Sequence, residues 1–63
     1  MFRYYLKLRP VSPGTVPKGF VNYFNYNYRT YVVDVGWVWA WVEYDHALTK
    51  EEIHEYELTE MLL

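Results

Sequence analysis

Few side chains in this sequence could do covalent chemistry. The one serine, Ser12, sits among prolines, outside the strand–turn–helix setting that exposes a serine nucleophile. There is no cysteine, so disulfides, thiol nucleophiles and thiolate metal sites are excluded. His46 and His54 stand eight residues apart, not the four of a helical metal-binding pair. Asp45 and His46 adjoin at a strand end, where they could form a local base, but adjacent strand residues point apart. Gly14 and Gly19 are isolated, so there is no glycine-rich phosphate loop. The chain is therefore expected to be non-enzymatic, with no catalytic residues, no metal and no cofactor.

Recognition chemistry is better represented. Trp37, Trp39 and Trp41 alternate along one apolar run and so share one face of a strand. Tryptophan is the residue most enriched at protein-binding hot spots, and such a row serves as core, as a self-association surface or as a patch for another protein. Glu51, Glu52 and Glu55, with Asp45, Glu57 and Glu60, gather acid near the C-terminus. That surface suits a basic groove, or is an ordinary solvated helix face. Arg3, Tyr5, Lys7 and Arg9 alternate along the first segment, and Tyr23, Arg29 and Tyr31 could extend their surface. Cations interleaved with aromatics suit a single-stranded nucleic acid, whose bases stack while phosphates are tracked. So few cations support only weak, salt-dependent affinity, and the acidic half opposes it.

The elements that must position these groups are legible in the hydrophobic pattern. Residues 2–9 alternate, with Phe2, Tyr4, Leu6 and Leu8 on one side, which predicts a half-buried strand. Residues 10–19 contain all three prolines and two of the three glycines, predicting a stiff loop. Residues 20–33 read as a tyrosine-rich hairpin turning at Asn25-Tyr26-Asn27, or as an irregular loop. Asp34-Val35-Gly36 is a turn. Residues 37–44 are apolar on both faces, which predicts a central strand. Thr49-Lys50-Glu51-Glu52 is a capping box, with Leu48 and Ile53 placed as a hydrophobic staple, so a helix is predicted over 50–58. Residues 59–63 form a short apolar tail that docks or frays.

Sixty-three residues suffice for one domain, which at this size buries only about 60% of the surface of its unfolded chain. With fourteen aromatic residues among them, large rings can fill a small core. Net charge is −2, but residues 1–33 carry five cations and no acid, whereas residues 34–63 carry eight acids and one cation. The halves either neutralise each other or present faces of opposite sign. No run of about 20 apolar residues is present, so no membrane helix is expected. The N-terminus lacks the pattern of a signal peptide, so a cytoplasmic location is expected.

Two stretches, residues 4–20 (YYLKLRPVSPGTVPKGF) and 44–58 (YDHALTKEEIHEYEL), together resemble short proteins of gut Firmicutes and their phages or mobile elements. The resemblance covers most of the chain, except that the Trp37–Trp41 run departs from a segment that is more polar in that group. It implies a cytoplasmic accessory protein and brings no site residues with it.

The expected fold is α+β: a small antiparallel sheet of three to four strands with one C-terminal helix packed on it. The helix would contribute Leu48, Ile53 and Tyr56 to the core, and the sheet Phe2, Tyr4, Leu6, Leu8, Val38, Ala40 and Val42. The expected function is a small protein-binding module, an accessory or inhibitor protein of a phage or mobile element, acting through Trp37, Trp39, Trp41, Glu51, Glu52 and Glu55. Its partner would be another protein or a second copy, with neither a membrane nor nucleic acid favoured. The alternatives are a weak single-strand binder using Arg3, Tyr5, Lys7 and Arg9, and a homo-oligomeric structural protein.

Overall fold

In a computed structural model, described over residues 1–8 and 12–61, the chain is α+β: four antiparallel strands with one short C-terminal helix. Arg9, the start of the proline loop at residues 10–11 and the last two residues lie outside the described residues. The strands are β1 (Phe2–Leu6), β2 (Phe20–Val32), β3 (Gly36–Tyr44) and β4 (Leu58–Glu60), and the helix is α1 (Lys50–Glu55). Their order in the sheet is β2-β3-β1-β4, all antiparallel. The strand with two apolar faces, β3, is thus central, as its composition requires.

Register converts the alternation into one packed face. Tyr4 lies opposite Val42 and Leu6 opposite Ala40, and Leu58 adds to the same side of Leu6. These residues, with Tyr44, Leu48 and Val16, form the buried cluster, and Phe20, Ile53 and Tyr56 pack against it. Phe2 and Leu8, expected in the core, are 43% and 37% exposed. They stand at and beyond the ends of β1.

Two polar contacts tie the cover to the sheet. The buried Tyr44 hydroxyl donates to the Pro17 carbonyl at 2.7 Å, and the Leu48 N–H donates to the Tyr4 hydroxyl at 3.0 Å. The proline loop therefore covers the same face as the helix. Burial, then the nearby Glu52 carboxylate and the Tyr56 and Tyr4 phenols, hold the Tyr44 phenol far above its ordinary value of 10.0. A phenol raised in the folded state keeps its full stabilising contribution below its unfolded pKa and loses it as pH rises past that point. Stability is therefore expected to fall above about pH 10, and Tyr44→Phe to flatten that alkaline limb. The same variant should cost about 1–2 kcal/mol at pH 7 by leaving the Pro17 carbonyl unpaired. Urea midpoints measured from pH 7 to 11 check both effects.

The helix begins as the capping box predicts. Thr49 Oγ1 accepts from the Glu52 N–H at 3.1 Å, and Glu52 Oε1 accepts from the Thr49 N–H at 2.9 Å. Thr49→Ala is expected to cost about 1 kcal/mol, read as a lowered denaturant midpoint. The helix stops at Glu55, three residues before the predicted end. Glu57 takes φ 50°, reversing the chain so that Leu58–Glu60 can pair with β1. The predicted tail is thus partly an edge strand, extended by the Met61 N–H donating to the Arg3 carbonyl at 2.8 Å.

Residues 20–33 depart most from expectation. They form neither a hairpin of their own nor a loop: Phe20–Val32 is one strand that pairs along β3. The hairpin closes instead at the turn after Val32, where the Val35 N–H donates to the Val32 carbonyl at 3.0 Å. Asp34 takes φ 67° and Gly36 φ 103°, a value that glycine alone adopts cheaply. Left-handed backbone does occur at Asn27, φ 67°, but there it shapes a bulge.

Candidate functional site

The pleat that buries Tyr4, Leu6, Ala40 and Val42 turns their neighbours to the opposite face of the sheet. On β3 these are Trp37, Trp39, Trp41 and Glu43, and on β1 they are Arg3 and Tyr5. Pairing brings Arg3 opposite Glu43 and Tyr5 opposite Trp41. From β2, Phe24 lies opposite Trp41 and Tyr31 opposite Trp37. The helix and the proline loop lie on the other side, so these rings face outward. Trp37 is 51% exposed, Phe24 49% and Tyr31 59%.

The bulge completes this surface. Between Asn25 and Thr30 the ladder skips, so that four residues of β2 stand against Trp39 alone. The Asn25 side-chain oxygen accepts from the Asn27 N–H at 2.8 Å, stabilising the left-handed residue. Bulges re-aim side chains. Here the Tyr26 ring meets Phe24 edge-on at 5.1 Å, and the Arg29 guanidinium lies 4.5 Å from the centre of a Trp37 ring. Tyr31 meets Trp37 edge-on at 5.2 Å. Burial, with the Tyr5 phenol nearby, raises the Tyr26 phenol above its ordinary value.

Trp41 is held between two strands. The Arg3 guanidinium lies 4.8 Å from the centre of its ring, and Phe24 stacks on it at 6.1 Å and 18°. The arginine and the phenylalanine reach the indole from the two strands that flank β3. Arg3 Nε also donates to Glu43 Oε2 at 2.7 Å. Glu43 is 8% exposed and is the buried charged residue among those described. Arg3 satisfies that carboxylate, whose burial would otherwise be costly.

The predicted site residues divide between the two sides of the sheet. Trp37, Trp39 and Trp41 come together on the outward face, joined by Arg3 and Tyr5 from the alternative set. Lys7 is exposed just past β1, and Arg9 lies outside the described residues. Arg29 and Tyr31 do extend the surface, whereas Tyr23 lies opposite Val42 and belongs to the other face. Glu51, Glu52 and Glu55 belong to α1 on the covered side, and Glu52 is engaged in the cap. The acidic helix and the tryptophan row are therefore separate surfaces. Sequence reasoning missed Phe24 and Tyr26. Their i, i+2 spacing was the available signal, obscured by reading Asn25-Tyr26-Asn27 as a hairpin turn.

Asp45 and His46 do meet: His46 Nδ1 and Asp45 Oδ1 lie 2.8 Å apart, beyond the end of β3, where the strand rule no longer holds side chains apart. The contact holds the exposed Asp45 carboxyl below its ordinary value. Among the described residues, no group of three or more His, Cys, Asp or Glu is placed to hold a metal ion. Among the same residues, no helix is long and apolar enough to cross a membrane.

No curated protein and no solved structure matches the chain. The family model described as "Defence against restriction A C-terminal" matches residues 1–61, and the chain, matched over nearly its whole length, belongs to that family.

Proposed function

We propose that this chain is a small non-enzymatic protein-binding module that serves defence against restriction as an accessory or inhibitor protein, and that it works through the open face of its sheet. Restriction is directed at incoming DNA, so defence against it belongs to phages and mobile elements. The family membership thus supports the same association as the sequence resemblance. The observation that carries the reading is the aromatic and cationic surface on the side away from the helix, where Trp37, Phe24 and Tyr31 are exposed, Trp39 and Trp41 are half-buried, and Arg3 and Arg29 lie over Trp41 and Trp37. Trp, Tyr and Arg are the residues that dominate protein-binding hot spots. A protein partner would remove their apolar surface from water at about 25 cal/mol per Å².

The ring contacts favour a protein over a single nucleic-acid strand. Base stacking needs open ring faces. Trp41 is already engaged by Arg3 and Phe24, and Trp37 by Arg29 and Tyr31, so these indoles offer less open ring surface to bases. Affinity capture from a lysate of a restriction-proficient bacterium tests the reading. Wild type is expected to retain a protein that Trp39→Ala and Trp37→Ala release. Equal recovery by wild type and both variants would remove the tryptophan face from the mechanism.

A further inference from the structure

The charges on the open face are not balanced within it. Its acid, Glu43, is buried and bound to Arg3. Asp34 and Asp45 lie in the turns at the two ends of β3, and Glu51, Glu52 and Glu55 are on α1. Arg29 forms no ion pair among the described residues, and its guanidinium rests on the Trp37 ring. Arg3 has given Nε to Glu43, which leaves its two terminal nitrogens. A guanidinium held over an aromatic ring is partly preorganised, because less freedom is lost when its planar fork pairs with an oxyanion.

Resting on the protein-binding reading above, we infer that the partner is an acidic protein surface, one that presents carboxylates to Arg29 and Arg3 and an apolar group to the tryptophan edges between them. Trp37 and Trp41 are four residues apart on one strand, so the two guanidinium seats stand about 13 Å apart along β3. Complementary carboxylates would need a similar separation, with an apolar side chain between them. The same forks would bind phosphates, but a nucleic acid also stacks its bases on open rings, and Trp41 is already engaged by Arg3 and Phe24.

Anisotropy titrations with labelled peptides test this. The probes are a 14-residue peptide alternating Glu and Leu, its counterpart with Gln for every Glu, and an oligothymidylate of matching charge. Wild type is expected to bind the Glu peptide at least tenfold more tightly than the Gln peptide, with the difference shrinking as salt is raised. Arg29→Gln should lose at least tenfold for the Glu peptide and little for the Gln peptide, and Arg29→Lys should restore only part, lacking the planar fork. Arg29 is exposed, so its variants are expected to keep the fold, checked by near-ultraviolet circular dichroism.

Equal binding of the Glu and Gln peptides by wild type would overturn the acidic preference and leave the protein-binding reading standing. Binding of neither peptide would overturn it too. Tighter binding of the oligothymidylate, abolished by Trp37→Ala, would overturn both readings in favour of nucleic acid. Concentration-dependent sedimentation abolished by Trp37→Ala would give the face to a second copy instead.

Discussion

Leu6→Ala is expected to leave the chain largely unfolded at 25 °C. Leu6 is 1% exposed and lies between two strands, opposite Ala40 on one side and Leu58 on the other. Truncating a buried leucine costs about 2–5 kcal/mol, the upper end applying where neighbours cannot close the gap. Ala40 is too small to fill it, and backbone pairing on both sides fixes the neighbouring strands. A core of this size supplies only about 3–5 kcal/mol in all, so the substitution removes most of the stability. Urea unfolding followed by circular dichroism measures it. A loss below about 1 kcal/mol would mean that this cluster is not what holds the sheet.

Trp37→Ala should do the reverse, sparing the fold and removing the partner. Half of the residue is already in water, and its described ring contacts are to Arg29 and Tyr31, both on the surface. The expected stability change is within about 1 kcal/mol. A hot-spot tryptophan costs at least about 2 kcal/mol when truncated, roughly 30-fold in affinity. Binding of the captured partner, measured by titration, is expected to weaken by that factor or more. Trp41→Ala should also lower stability, by about 1–2 kcal/mol, because it removes the ring packed between Arg3 and Phe24. A Trp37→Ala variant that unfolded like Leu6→Ala would place this indole in the core instead.

These opposite expectations trace to features that differ in how visible they were in the chain. The inward set of β1 and β3 was legible because alternation there is strict and a one-residue slip would bury Arg3 and expose Leu6. The helix start was legible because Thr49 and Glu52 satisfy each other locally. Its end was not, since nothing about Glu57 announces a left-handed residue. The pairing of residues 58–60 depends on the free edge of β1, more than fifty residues earlier. Segment 20–33 was misread because an asparagine that accepts left-handed backbone serves a turn or a bulge equally well, and only pairing with β3 decides between them.

The binding face was half legible. The tryptophans were on one side of a strand whatever the fold. Whether that side was covered depended on where the proline loop went. The Tyr44 hydroxyl and the Pro17 carbonyl hold the loop on the helix side, away from the indoles. The burial of Glu43 was invisible in sequence, because its partner Arg3 is forty residues away and meets it only through strand register.

The account rests on a four-stranded sheet sheltered on one side by the helix and the proline loop and lined on the other by partly exposed aromatic rings. Attenuation of proton signals in dilute protein by a soluble gadolinium chelate reads this directly. The side chains of Trp37, Phe24 and Tyr31 are expected to bleach early, while those of Tyr4, Leu6 and Tyr44 persist. Persistent Trp37 and Phe24 signals alongside early loss of Leu6 would contradict it.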